Sequence, residues 1–248
     1  MKHFLMICVL AVFLPVAAMA DADEFEADDY LNFSKEARAG DSDPFEGLNR
    51  GVHEFNYVVD SVLFDPLASV YNTVLPEFAR TGVHNFLENI EAPVVFVNSL
   101  LQGDPQNVFV TFWRFVFNST LGVAGVFDIA TDLGMPERNH EDFGQTLGVW
   151  GVGHGAYLVL PLIGPSSLRD APGMVIDVLL NPLTYNVANW PEDYGLAVTR
   201  AIDTRARLDK FIDQVNGSSL DPYATFRSLY LQRRDGLVNN FADADKIR

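Results

Sequence analysis

Along this chain apolar positions recur with a helical period, and in two stretches the charged positions nearly vanish. Between Asp104 and Asp128 there are 23 residues with a single ionisable side chain, Arg114, set among Val108, Phe109, Val110, Phe112, Trp113, Phe115, Val116 and Phe117. The polar residues there are not scattered. Asn107, Thr111, Arg114 and Asn118 are four, three and four apart, so at about 100° per residue they share an arc of roughly 60°. A surface helix of a water-soluble protein has the opposite proportions, a narrow apolar stripe and a wide polar face. An ionisable group on so apolar a cylinder calls for a polar partner or pathway. Two settings meet that need: a membrane, and a central helix of a soluble core with Arg114 paired to a carboxylate.

The same period marks the other elements. Structure is expected to start at Asp43-Pro44-Phe45-Glu46, where Asp43 can cap, Pro44 takes the first helical position and Glu46 closes a capping box. Asp-Pro recurs at Asp65-Pro66, Asp104-Pro105 and Asp221-Pro222, each able to begin a helix. The first helix carries Phe45, Leu48, Val52, Phe55, Val59 and Val62 on one face, with Asn49, His53, Asn56 and Asp60 on an adjacent stripe. Further helices are expected at 66–75, 76–90, 93–101, 105–121, 170–180, 192–215 and 222–234, and one strand at 156–160. The fold class is therefore mainly α. A helix of roughly 10 to 16 residues rises about 15 to 24 Å, against a hydrocarbon core of about 30 Å. Most of these segments cannot cross a bilayer upright, and any that meet lipid lie within one leaflet.

The second uncharged stretch, residues 143–168, holds six glycines, among them Gly151, Gly153 and Gly155, and two prolines, Pro161 and Pro165. A continuous helix is not expected there. Irregular backbone at membrane depth is tolerated where protein buries it or a wet cavity meets it, so the stretch reads as a re-entrant or pore-lining turn.

Charge narrows the function. The chain has 33 acidic and 17 basic residues, a formal charge of −16 and a pI near 4.5, which argues against nucleic acid as a partner. Hydrophobic residues still make up 48% and mean hydropathy is +0.08, so charge and apolar surface are segregated along the sequence. Residues 1–20 read as a cleaved signal peptide: Met1-Lys2-His3, an apolar run from Phe4, and Ala18-Met19-Ala20 before Asp21. Residues 21–43 form an acidic arm, 44–235 the helical domain and 236–248 a tail. Cys8, the sole cysteine, lies inside the leader behind Ile7 with too short an apolar run ahead of it for lipidation. The mature chain is then expected to lack a lipid anchor, disulfides, thiol catalysis and Cys-ligated zinc.

Gly151 to Ala156 fits a loose G-x-G-x-x-G/A pattern, but the strand before and helix after that a dinucleotide site needs are missing. His53, His84, His140 and His154 show no metal-ligand spacing, and His140 is expected in a solvated loop. Ser166 and Ser167 do not form a nucleophile elbow. No catalytic residue, cofactor or metal is assigned, and an enzyme is not expected.

Taken together, several motifs resemble the MlaA/VacJ family of outer-membrane proteins that keep phospholipids asymmetrically distributed. They are Asp43 through Arg50, Asn98 with Leu101-Gln102-Gly103-Asp104-Pro105, Arg114-Phe115 with Asn118, Phe143 through Gly148 leading to Gly151 through Gly155, Leu168-Arg169-Asp170, Thr204-Arg205-Ala206, and Asp221-Pro222-Tyr223 with Gln232-Arg233. The resemblance implies a ring of helices lying in one leaflet of the outer membrane around a central amphipathic channel. It also implies removal of misplaced phospholipid from the outer leaflet, delivery to a periplasmic lipid carrier, and association with a porin trimer. Lipid-binding or channel-lining candidates are Asn49, His53, Asn56, Asn107, Thr111, Arg114, Asn118, Gly151, Gly153 and Gly155. For Arg114 a lipid phosphate, Asp128 and Asp170 are all candidate partners. Arg227, Arg233 and Arg234 are expected to face the periplasm. The alternative is a soluble periplasmic lipid-binding or porin-associated scaffold protein.

Overall fold

The computed structural model describes residues 43–181 and 192–244. The leader, all of the acidic arm but Asp43, and residues 245–248 lie outside them. The described chain is mainly helical. In order it has α1 (Glu46–Val59), a π-helical turn (Asp60–Phe64), α2 (Asp65–Val74), α3 (Glu77–Gln102), α4 (Pro105–Thr120), α5 (Ile129–Asp132), α6 (Phe143–Val149), β1 (Tyr157–Leu160), β2 (Gly164–Ser167), α7 (Asp170–Leu180), α8 (Glu192–Arg207), α9 (Asp209–Ser218) and α10 (Pro222–Ala244).

Two Asp-Pro signals start helices as expected. The Asp104 carboxylate accepts from the backbone N–H groups of Gln106 and Asn107, each at 3.0 Å, with Pro105 in the first turn. Such a cap is worth about 1 kcal/mol. Asp221 does the same for α10 through Ala224 N at 3.1 Å. The other two behave differently. Asp43 binds Phe45 N, Asn49 and the Tyr223 hydroxyl, while Glu46 turns to Arg50 at 2.8 Å, so no capping box forms. Asp65-Pro66 breaks nothing, because α1, the π turn and α2 are one continuous helical run. The π turn takes one extra residue, with Asp65 N reaching back to Asp60 O, and Pro66 follows where the ladder is already loosened.

Pro93 was expected to separate two helices, yet α3 runs through it for 26 residues. Tertiary packing outweighs the proline. The α3 helix packs against α4, α6, α7 and α8, and Leu87, Ala92, Val94 and Val95 are buried around that point. Gly103, at φ 78°, ends α3 and allows the tight reversal into α4. The helix expected across 192–215 is divided at Leu208 into α8 and α9.

In the uncharged stretch the sequence reading found too little structure. Residues 143–149 form α6, capped by Asp142, whose carboxylate accepts from Gln145 N at 2.8 Å. The expected strand pairs antiparallel with β2, Tyr157 opposite Ser167 and Leu160 opposite Gly164. Against this hairpin sits a small aromatic core of Tyr157, Val159, Tyr223, Tyr230 and Leu231, with Val52 packed on it.

Side-chain orientation in α1 and α4 is inverted relative to a water-soluble protein. On α1 and the following turn Asn49 is 1% exposed whereas Val62 is 73% exposed; on α4 Thr111 is fully buried whereas Phe109 is 63% exposed. Phe45, Leu48, Phe55, Val58, Leu63, Val70, Val74 and Phe78 continue the first outward face, and Phe112, Trp113 and Phe115 the second. The most buried side chains of these helices are polar and many of their large apolar ones are exposed, although Glu46, Arg50 and Glu54 are exposed as well and Val110 is buried. Among the described residues no helix is long and apolar enough to cross a membrane.

Candidate functional site

The inward polar stripe of α1 is held by hydrogen bonds to strand backbone. Asn49 Nδ2 donates to Tyr157 O at 3.0 Å, and its Oδ1 accepts from Val159 N at 2.9 Å. Seven residues on, Asn56 Nδ2 donates to Leu160 O at 2.9 Å and its Oδ1 accepts from Leu162 N at 2.7 Å. Two side-chain amides thus stand in for a third strand beside β1. Backbone groups must find partners when buried, and here a helix face supplies them.

This docking leaves a cavity of about 170 Å³ between α1, the π turn, the hairpin tip, α8, α9 and α10. His53, Asn56, Tyr57 and Val59 line it from α1, with Asp60 and Phe64 from the π turn and residues 162–165 from the hairpin. Ala201 and Arg205 face it from α8, followed by Leu208, Ile212, Asn216 and Phe226. Most of that wall is apolar. His53 packs between the rings of Tyr223 and Phe226, each 5.7 Å away, and burial lowers its pKa, so the imidazole is neutral at pH 7. The polar end is Asp60 with Arg205, whose Nε lies 2.8 and 3.1 Å from the two Asp60 oxygens. Burial still pushes the Asp60 carboxyl above its ordinary value, against the pull of Arg205.

Of the proposed site residues, His53 and Asn56 line this cavity, and Asn49 lies behind it as a structural bridge. Asn107, Thr111, Arg114 and Asn118 lie elsewhere, at the seam where α4 meets α3 and the 128–139 segment. Asn107 Nδ2 donates to Ser99 Oγ at 2.8 Å and to Asn139 O at 3.1 Å. Arg114 donates to Asp128 at 2.7 Å, Thr131 Oγ1 at 2.9 Å and Pro136 O at 3.0 Å. Asn118 Nδ2 donates to Asp128 at 2.8 Å, and its Oδ1 accepts from Ala130 N at 2.9 Å. Of the three candidates for Arg114, Asp128 is the partner found. Asp170 instead binds Arg169 and Arg234. Gly151, Gly153 and Gly155 are exposed on the loop between α6 and β1 and do not line the cavity. Gly151 and Gly155 have φ of 91° and 68°, and a Cβ on Gly155 would meet Leu168 at 3.2 Å.

One charged residue sits differently from expectation. Arg234 does not face solvent. It is 4% exposed and joins α10 to α6 and α7 through Asp142 at 2.9 Å and Asp170 at 3.0 Å. His140 lies in the loop before α6 with about a third of its side chain exposed, and its Nε2 is 3.2 Å from Glu88, which also pairs with Arg138. The cluster of Glu88, Glu91 and His140 has the spacing of a metal site, but Arg138 and Arg200 already hold its carboxylates.

Asp60, on the polar stripe of the first helix, and Arg205, in the Thr204-Arg205-Ala206 motif, line the cavity without having been site candidates, and Leu208, Ile212 and Phe226 were not singled out at all. The available signal was a cationic residue flanked by carboxylates at helical spacing, Arg205 with Asp209.

Comparison with known proteins agrees with this architecture. The model of the family described as MlaA lipoprotein matches residues 41–236. The intermembrane phospholipid transport system lipoprotein MlaA of Shigella flexneri is 40% identical over 204 residues, covering 81% of this chain and 80% of that protein. The protein of the same name from Escherichia coli strain K12 is 39% identical, with 81% and 80% covered. A solved structure described under the structural basis for maintenance of bacterial outer membrane lipid asymmetry superposes with a TM-score of 0.69 at 39% identity, covering 80% of this chain and all of that one. With its motifs, its helical fold and most of its length in common with these proteins, the chain belongs to the MlaA lipoprotein family.

Proposed function

We propose that this protein removes mislocalised phospholipids from the outer leaflet of the outer membrane and passes them to a periplasmic lipid carrier. The observation that carries the reading is the inverted amphipathicity of α1 and α4: side chains such as Val62 and Phe109 face outward while Asn49, Asn107, Thr111 and Asn118 face inward. Exposed apolar faces of this extent mark contact with lipid or with another protein. Helices too short and too polar to span then lie along one leaflet, on the periplasmic side, with a porin trimer as the protein neighbour. The cavity at His53, Asn56 and Arg205 is the proposed lipid site, apolar for acyl chains with a polar end for the headgroup. No covalent step is involved.

The same outward faces weigh against a soluble periplasmic protein, since apolar area costs about 25 cal/mol per Å² to leave in water. The test is deletion of the gene with complementation. Loss should let phospholipid accumulate in the outer leaflet and raise detergent sensitivity. Wild-type protein should restore both, and a cavity-filling Ile212→Trp protein, present at wild-type level, should not. Unchanged outer-leaflet composition on deletion would overturn the reading.

A further inference from the structure

The charge around the polar end of the cavity is lopsided. Arg205 is the one cation among the described lining residues, and each of its three nitrogens already faces a carboxylate. Besides Nε to Asp60, Nη1 lies 2.6 Å from Asp209, while Nη2 lies 3.1 Å from Asp65 and 3.8 Å from Asp213. One guanidinium among four carboxylates leaves three negative charges uncompensated. Across the cavity His53 is neutral and adds no positive charge. Asp60 belongs to the π turn, where the extra residue changes which way the helix face points, and π turns within helices recur at functional sites.

A lipid phosphate entering this end finds an arginine whose three nitrogens already face carboxylates, inside a net-negative neighbourhood. A primary ammonium finds the Asp60 carboxylate on the cavity wall and a surplus of negative charge behind it, from Asp65, Asp209 and Asp213, which are more exposed to water and so act more weakly. We propose that this cavity discriminates between headgroups, favouring zwitterionic glycerophospholipids that carry an ammonium group over net-anionic ones, and that Asp60 is the residue that sets the preference. The inference rests on the cavity being the lipid site. Asp60 is suited to the role because its carboxylate both lines the cavity and holds Arg205 in place, whereas Asp65, Asp209 and Asp213 act from behind the guanidinium.

The test uses the full chain in mild detergent, equilibrated with mixed micelles of equal phosphatidylethanolamine and phosphatidylglycerol. Retained lipid is quantified by mass spectrometry at low and high salt. Wild-type protein should retain the ethanolamine lipid in excess, and the excess should shrink with salt. Asp60→Asn keeps an oxygen for Arg205 and removes the charge, and should shift the retained ratio toward the anionic lipid on the order of three- to tenfold. Asp209→Asn, which leaves the lining intact, should shift it the same way by less, and serves if the Asp60 variant does not fold. Equal retention of both lipids by wild type, or an unchanged ratio in both variants, would overturn the headgroup preference while leaving the cavity as the lipid site. Failure of that underlying reading looks different: Ile212→Trp would retain as much lipid as wild type, and a photoactivatable phospholipid would label peptides outside the cavity.

Discussion

Replacing Asn49 with alanine tests whether the α1 side chains serve as strand partners. The substitution removes the acceptor for Val159 N and the donor to Tyr157 O, at a site where Asn49 is 1% exposed and Tyr157 and Val159 are themselves buried. Each buried backbone group left unsatisfied costs about 1 to 3 kcal/mol. Two such groups give a loss of roughly 2 to 5 kcal/mol, toward the lower end if water enters the gap. Asn56→Ala exposes Leu160 O and Leu162 N at the hairpin tip in the same way and should cost less, because Leu162 sits in a partly solvated turn. Urea unfolding in mild detergent measures the total, and amide hydrogen exchange reads the local event. The Val159 amide should exchange much faster in Asn49→Ala. A stability loss below about 0.5 kcal/mol with Val159 still protected would refute the bridging role.

Arg114→Leu should keep the helical circular dichroism but lower stability by about 1 to 3 kcal/mol, because it removes the cation joining the Asp128 carboxylate, which keeps Asn118 and Thr131 as donors, to the Pro136 carbonyl; Arg114→Lys should recover only part, since one ammonium cannot span those acceptors. Urea melts of the three proteins check this, and a leucine variant as stable as wild type would contradict it. Asp177 is pushed up to about 7, chiefly by burial and then by the negative charge of Asp142, so the native state holds that proton more tightly than the unfolded chain does. Stability should therefore fall as pH rises from the ordinary aspartate range through about 7. Asp177→Asn, which still accepts from Asn98 and Phe143 N, should gain on wild type between pH 5 and pH 8 by on the order of 1 to 3 kcal/mol. Glu141, raised to about 7 mainly by burial, should respond in the same direction when changed to Gln, and equal stability of variant and wild type at both pH values would count against either assignment.

Local chemistry was legible where a single residue decides it. Asp104 and Asp221 cap the helices they precede, and Gly103 ends α3, because caps and left-handed turns depend on side chains only a few residues away. The α4 seam was readable too, since four polar residues on one arc must face something polar. What it faces, the 128–139 segment and Ser99, was only partly readable: Asp128 was one of several partners open to Arg114. Features imposed by distant packing were not legible. Pro93 inside α3 and burial of Arg234 between Asp142 and Asp170 depend on contacts spanning tens of residues, while β2 pairs with nearby β1 but is hidden by its Gly-Pro-Ser-Ser sequence. The cavity belongs to the same class. Its walls come from α1, the hairpin, α8, α9 and α10, and no local pattern joins His53 to Arg205 or Phe226.

The central claim, that the outward apolar faces of α4 and of the continuous α1–π turn–α2 run rest among acyl chains, is tested most directly by spin labels on single cysteines replacing Val62, Val70 and Phe109 in protein reconstituted into bilayers. These labels should collide readily with oxygen and be shielded from a water-soluble nickel chelate, while a label at Lys210 shows the reverse. Equal exposure of all four labels to the chelate would contradict the account.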